Sequence, residues 1–178
     1  MIKPIYLYGE EALRKVSEDI DLDHPSLSSL IDDMFETMRN ADGIGLAAPQ
    51  IGINKRIIVI DNGEKEDEDF MFKGVFINAK ILRHFGYLYK VKEGCLSFPG
   101  ISERVSRPLG IEVEWYDENK KYHKEKFIGI KSIVLQHEID HLNGILFIDK
   151  IDPEDKMRIY KDLENIKRKK VKVNYETK

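Results

Sequence analysis

Between residues 25 and 40, apolar side chains recur every three or four positions. Leu27, Leu30, Ile31, Met34, Phe35 and Met38 form one stripe, and acidic or polar residues fill the other face. That period predicts an amphipathic helix. Pro25 suits its first turn, and Asp23 or Ser26 is placed to cap it. Residues 10–16 predict a short helical turn. Arg56 to Asp61 reads as a short apolar strand, and Val75 to Asn78 and Leu82 to Lys92 read as two more. From Gly110 to Tyr116 the period is two, with Ile111, Val113 and Trp115 on one side and Glu112, Glu114 and Tyr116 on the other. Asp117-Glu118-Asn119-Lys120 is a turn, and Lys121 to Phe127 returns as its hairpin partner. Gly129 to Leu142 is helical again. Ile130, Ile133, Val134, Leu135, Ile139 and Leu142 surround it almost completely, so it is predicted to be buried on most sides. Asn143-Gly144 stops it. A last helix starts at Asp152-Pro153 and runs to about Lys169. The sum is an α+β fold with antiparallel sheets packed around a central helix, closed by a C-terminal helix.

Composition adds boundaries to this picture. At 178 residues, 42% hydrophobic and 34% charged, the chain is predicted to be one domain over residues 1–178. A net charge of −3 argues against nucleic-acid binding by the chain as a whole. One cysteine excludes an internal disulfide and favours a reducing compartment. The first residues lead into no long apolar run, so no signal peptide or membrane span is expected. Glu64 to Asp69 holds five acids and one lysine and reads as a solvated loop. The basic end, Lys167 to Lys172, reads first as a solvated helix end.

Chemistry concentrates in three segments. His137-Glu138-Ile139-Asp140-His141 sets two imidazoles four residues apart on the central helix, hence on one face. That spacing can hold one divalent ion, with Glu138 beside the water it would activate. The plainer alternative is a pair of core histidines. Burying two imidazoles and two carboxylates without partners is costly, and a metal offsets much of that cost. A catalytic site needs a third protein ligand. Cys95 is the candidate, since thiolate suits Zn²⁺ and Fe²⁺. Its neighbours support it: Gly94 allows a close backbone approach and Pro99-Gly100 turns the chain. Glu164 and Glu154, beyond the helix, are the carboxylate rivals, although both read as exposed helix residues. The third segment, Gly43 to Gln50, lacks a phosphate-loop pattern. Its glycines let backbone run beside a ligand, and the Gln50 amide is a possible donor to a developing oxyanion. A tight structural loop is the equal alternative for this segment taken alone.

Taken together, these segments resemble the three signature motifs of the peptide deformylases: Gly-Ile-Gly-Leu-Ala-Ala-Pro-Gln at 43–50, Glu-Gly-Cys-Leu-Ser at 93–97 and Gln-His-Glu-Ile-Asp-His at 136–141. Their order and separation fit, and the likeness extends almost to the final helix. The resemblance implies an enzyme that removes the formyl group from N-formylmethionine on new proteins. It implies Cys95, His137 and His141 as metal ligands and Glu138 as general base and then acid. Gln50 through its side chain and Leu96 through its N–H would be oxyanion donors, and Gly45 a backbone contact to the peptide. Ile44, Val91, Ile130, Ile133 and Val134 would line the methionine pocket. One divalent ion is implied, natively Fe²⁺, with Zn²⁺, Ni²⁺ or Co²⁺ as substitutes. Formylmethionyl peptides and nascent chains are the implied partners, with transient ribosome contact through the basic end and a cytoplasmic setting; a monomer is the default expectation. Phe98-Pro99-Gly100-Ile101-Ser102 departs from the arginine-bearing loop of some members, which bears on the rim of the substrate site. Asp140 and Arg107 are a candidate pair orienting the ligand helix, and Glu93 a candidate anchor for its loop. An endopeptidase using Glu164 and a noncatalytic binding module are the competing readings.

Overall fold

The computed structural model describes residues 1–63 and 71–178. The acidic run predicted as a solvated loop lies outside the described residues. Helix α1 spans Leu27–Asn40, close to expectation. Ser26 takes the capping position, but no side-chain cap bond forms. Five strands follow the chain: β1 (Gly45–Ala47), β2 (Ile57–Asp61), β3 (Lys73–Gly94), β4 (Ser102–Tyr116) and β5 (Tyr122–Ile128). They pair antiparallel in the order β1-β2-β3-β4-β5, so the strands form one continuous sheet. Helix α2 spans Ile130–Leu142.

The two strands expected at 75–78 and 82–92 are one bent strand. Asn78 interrupts the apolar pattern because it sits at a bulge with φ 56°. Its side chain accepts from the Ile20 N–H at 2.8 Å and donates to the Ile20 carbonyl at 2.9 Å. A further irregularity between Phe85 and Leu88 contains Gly86 at φ 81°. β4 also begins earlier than its alternation suggests. Pro108 breaks the pattern; it lies opposite Leu88 at the irregularity in β3 and before the pairing with β5, which starts at Gly110. The predicted last helix is two, α3 (Pro153–Arg158) and α4 (Tyr160–Lys167). Ile159 lies between them at ψ 1°, its side chain buried with Leu163 and Ile166.

Three apolar clusters surround the functional region. α1 packs on β1 and β2 through Met34, Met38, Leu46 and Ile57. α2 lays Leu135, Ile139 and Leu142 against Ile58, Ile60, Ile111 and Val113 of the sheet. Leu7, Phe98, Val105 and Phe147 join α4 in the third. α2 ends as expected, with Gly144 at φ 70°; a Cβ there would lie 2.5 Å from the Arg14 carbonyl. Among the described residues no helix is long and apolar enough to cross a membrane.

Candidate metal centre and active site

Helical periodicity divides α2 into two sides. Leu135, Ile139 and Leu142 anchor one side on the sheet, so His137 and His141 are carried toward the opposite side, with Glu138 on the flank between. There they meet the loop after β3. Cys95 Sγ is 3.3 Å from His141 Nε2. Ligand atoms of Cys95, His137 and His141 all lie within 4.8 Å of one another. Two clusters hold this loop: Cys95 packs against the one containing Phe98, and Leu96 against the one containing α1. The thiol is therefore placed by cores on both sides of it.

The donor set fits a divalent ion. His137 Nδ1 donates to Glu93 Oε2 at 2.8 Å, which leaves Nε2 as the free ligand atom. Burial alone would discharge His137. The Cys95 sulfur and the Glu93 carboxylate nevertheless raise its pKa to about 10. The pocket thus takes up a proton where a cation would serve. Burial and the nearby His137 charge push His141 well below its ordinary value, toward the neutral form a ligand needs. One soft thiolate and two imidazoles suit Fe²⁺, Zn²⁺, Ni²⁺ or Co²⁺.

Glu138 is almost fully buried, and its Oε2 has no hydrogen-bond partner among the described residues. Burial raises its pKa to about 7, with His137 opposing and Glu93 reinforcing the shift. A carboxylate at that value can both accept and return a proton near neutrality. Gly45 faces it across the site. A Cβ on Gly45 would lie 2.5 Å from Glu138 Oε1, so glycine is required for the approach. Gln50 ends the same segment in a short 3₁₀ turn. Its Oε1 accepts from the Ala47 N–H at 2.9 Å, which fixes the orientation of the amide. Nε2 then donates toward Cys95 Sγ at 3.4 Å and Ser97 Oγ at 3.2 Å.

Behind the ligands lies a buried ionic network. Arg107, 1% exposed, donates to Glu93 through Nε and through Nη2 at 2.9 Å, and to Asp140 through Nη1 at 2.7 Å. Lys150 Nζ also reaches Asp140 at 2.6 Å. Against the upward push of burial, Arg107 and His137 hold Glu93 down at about 2. The expected Asp140–Arg107 pair is thus present and buried, and Glu93 joins the same guanidinium to the ring of a metal ligand.

An open cleft of about 850 Å³ exposes this centre. Ile44, Gly45, Gln50, Cys95, Leu96 and Glu138 are on its walls. The other residues expected in the methionine pocket lie elsewhere. Ile133 is buried in the protein, and Ile130 and Val134 border a small separate hollow with Ile60 and Phe72. Val91, on β3, pairs with Val105 of β4. The rival ligands are also away from the cluster: Glu154 is exposed in the first turn of α3, and Glu164 pairs with Arg168 at 3.4 Å. Sequence reasoning missed Ser97, and it missed residues 172–175, which also line the cleft. The alternation of Val171, Val173 and Tyr175 was the available signal for an extended segment there.

The comparisons agree with this geometry. The chain matches the family profile described as Polypeptide deformylase over residues 2–157. It is 43% identical over 188 aligned positions to the peptide deformylase of Flavobacterium psychrophilum, covering 100% of this chain and 97% of the relative. It is 41% identical to that of Christiangramia forsetii, covering 98% and 94%. Among solved structures, a peptide deformylase from Legionella pneumophila superposes with a TM-score of 0.83 at 37% identity, covering 96% of this chain and 98% of the other. One from Plasmodium falciparum gives 0.84 at 41% identity, covering 93% and 95%. With the HExxH helix, the cysteine loop and the glutamine turn converging on one cleft, the chain belongs to the polypeptide deformylase family.

Proposed function

We propose that the Cys95–His137–His141 centre, with Glu138, Gln50 and Leu96, hydrolyses the formyl amide at the N-terminus of formylmethionyl peptides and releases formate. The observation that carries this reading is the meeting of a Cys/His/His ligand cluster with a buried carboxylate of pKa about 7 in one open cleft. Cys95, His137 and His141 would hold a divalent ion, which would supply Lewis acidity to the hydrolysis at neutral pH. Glu138 takes the proton from the attacking water and delivers it to the leaving amine. The Gln50 amide, held by Ala47, and the Leu96 N–H donate to the oxygen that gains charge; one such donor is worth about 3 kcal/mol. The Gly45 main chain lies beside the bound peptide. Glu93 keeps the His137 ring turned toward the ligand position, and Arg107 keeps Glu93 ionised.

We assign Ile44, on the cleft wall, to the methionine side chain. Fe²⁺ is the native ion the family resemblance favours, and the cytoplasm of a bacterial-type cell is the setting where formylated chains emerge. The protein acts as a monomer in this reading. Lys167, Lys170 and Lys172 are exposed and available for transient contact with ribosomal RNA, whereas Arg168 pairs with Glu164 and Lys169 with Glu10. Ribosome binding through them should weaken steeply with salt; a variant neutral at these three lysines that binds equally well would remove the assignment.

The carbonyl carbon of a formyl group carries only hydrogen, so the narrow space between Gly45 and Glu138 is expected to reject larger acyl groups. Turnover of formyl-Met-Ala-Ser against acetyl-Met-Ala-Ser tests the reading. Strong preference for the formyl peptide is expected; equal rates would contradict it.

A further inference from the structure

The profile match ends at residue 157, but the protein continues past it to the mouth of the cleft. Lys169, at φ 56°, ends α4 and turns the chain back. The next residues alternate, with Val171, Val173 and Tyr175 partly buried and Lys172 and Asn174 exposed. Val171 packs against the cluster that also supports Cys95. Farther on, the Ile5 N–H donates to the Glu176 carbonyl at 2.8 Å, and the Lys178 N–H donates to the Ile5 carbonyl at 2.9 Å. The end of the chain is therefore tied to the N-terminal segment, with Lys172 to Tyr175 stretched along the cleft between the two attachments.

Within that stretch, the Tyr175 hydroxyl donates to the Leu96 carbonyl at 2.7 Å. Each carbonyl of the Cys95–Ser97 loop has a partner. Cys95 O accepts from the Phe98 N–H at 2.9 Å, and Ser97 O accepts from the Tyr8 N–H at 2.9 Å. The Leu96 carbonyl is held by the strap. The Leu96 residue joins the thiol ligand on one side to Ser97, an acceptor for Gln50, on the other. The peptide planes on either side of Leu96 meet at its Cα through φ and ψ, so pinning the carbonyl fixes one of the two planes and narrows the range open to the other, which carries the N–H.

We propose that the C-terminal strap is a working wall of the active site, and that Tyr175 is a positioning residue holding the Leu96 main chain in register with the centre. This rests on the reading of Leu96 as an oxyanion donor. The experiment is Tyr175→Phe, which keeps the ring and deletes the hydroxyl, assayed with formyl-Met-Ala-Ser beside wild type and Gln50→Ala. kcat per bound metal, KM and Tm are measured for each. Tyr175→Phe is expected to lower kcat per bound metal by about five- to tenfold, as loss of one neutral hydrogen bond to a catalytic loop would, with KM within about twofold. A Tyr175→Phe protein with wild-type kcat per bound metal overturns the proposal, whether or not its Tm falls. If Gln50→Ala is impaired in that case, the strap proposal fails alone; if Gln50→Ala is also unimpaired, the oxyanion reading fails with it.

Discussion

Glu138 is the base of the proposed reaction, and its burial has a cost that can be measured. Its folded pKa of about 7 lies above the ordinary 4.5. Between those values the folded protein holds a proton that the unfolded chain has released. Stability of the metal-depleted protein should therefore fall as pH rises through this window, by about 3 kcal/mol in all. Glu138→Gln removes the charge at nearly constant volume. Its metal-depleted form should unfold at a higher temperature than wild type at pH 8 and at a similar temperature at pH 4.5. A larger gain at pH 4.5 than at pH 8 would show that Glu138 is not the group responsible. Gly45→Ala tests the same carboxylate sterically. The new methyl group would enter within 2.5 Å of Glu138 Oε1, so the side chain must move. Relief of the clash takes a shift of about 1 Å, and a misplacement of that order in a catalytic base should cost on the order of a hundredfold in kcat. Wild-type kcat in Gly45→Ala would mean the base tolerates another position. The grouping of His137, Glu138 and His141 was legible in the sequence because HExxH spacing works through helix geometry alone. The close approach of Gly45 to Glu138 was not, since it depends on how two distant segments pack.

At the scale of elements, α2 and the β3–β4 pair meet through Arg107. The predicted Asp140–Arg107 pair rested on residue types. What the sequence could not reveal was that Glu93 on β3 shares the guanidinium and also holds the His137 ring. Such a three-way contact requires the register of β3 on β4, where Tyr89 faces Arg107 and Glu93 faces Glu103. The bulges that set this register interrupted the apolar pattern, and the sequence therefore read one long strand as two. Arg107→Ala would leave Glu93 and Asp140 buried without their shared cation. A loss of about 3–5 kcal/mol in unfolding free energy is expected, as for other broken buried pairs. Glu93→Gln should weaken metal binding by about 10- to 100-fold, the usual consequence of altering the partner of a ligating histidine. Competition with a chelator measures this; unchanged affinity would relieve Glu93 of the role. Glu93 also contributes to acid stability. Its pKa of about 2 is below the ordinary 4.5, so the contribution is full above pH 4.5 and lost as pH falls through about 2.

At the scale of the whole molecule, three cores converge on one small centre. The chain is held at Cys95, Leu96 and α2 by different clusters, which allows a thiol and two imidazoles far apart in sequence to lie within ligand distance. The α+β class, the central helix and the ligand cluster were readable from periodicity and motif spacing. In sequence, the C-terminal end reads as one helix running from Asp152-Pro153 to about Lys169 with a solvated basic end. Ile159 breaks it, and the chain after Lys169 returns to the cleft, an outcome decided by pairing with Ile5 rather than by local propensity. The central claim remains that this cleft removes formyl groups with Glu138 as base and Cys95 as ligand. The most direct measurement is formate release from formyl-Met-Ala-Ser by anaerobically prepared, Fe²⁺-loaded protein, beside Glu138→Ala and Cys95→Ala, with bound metal determined for each. Release by wild type is expected, together with a metal-retaining but inactive Glu138→Ala and a Cys95→Ala that has lost both metal and activity. No formate from fully loaded wild type, or undiminished release by Glu138→Ala, would contradict the account.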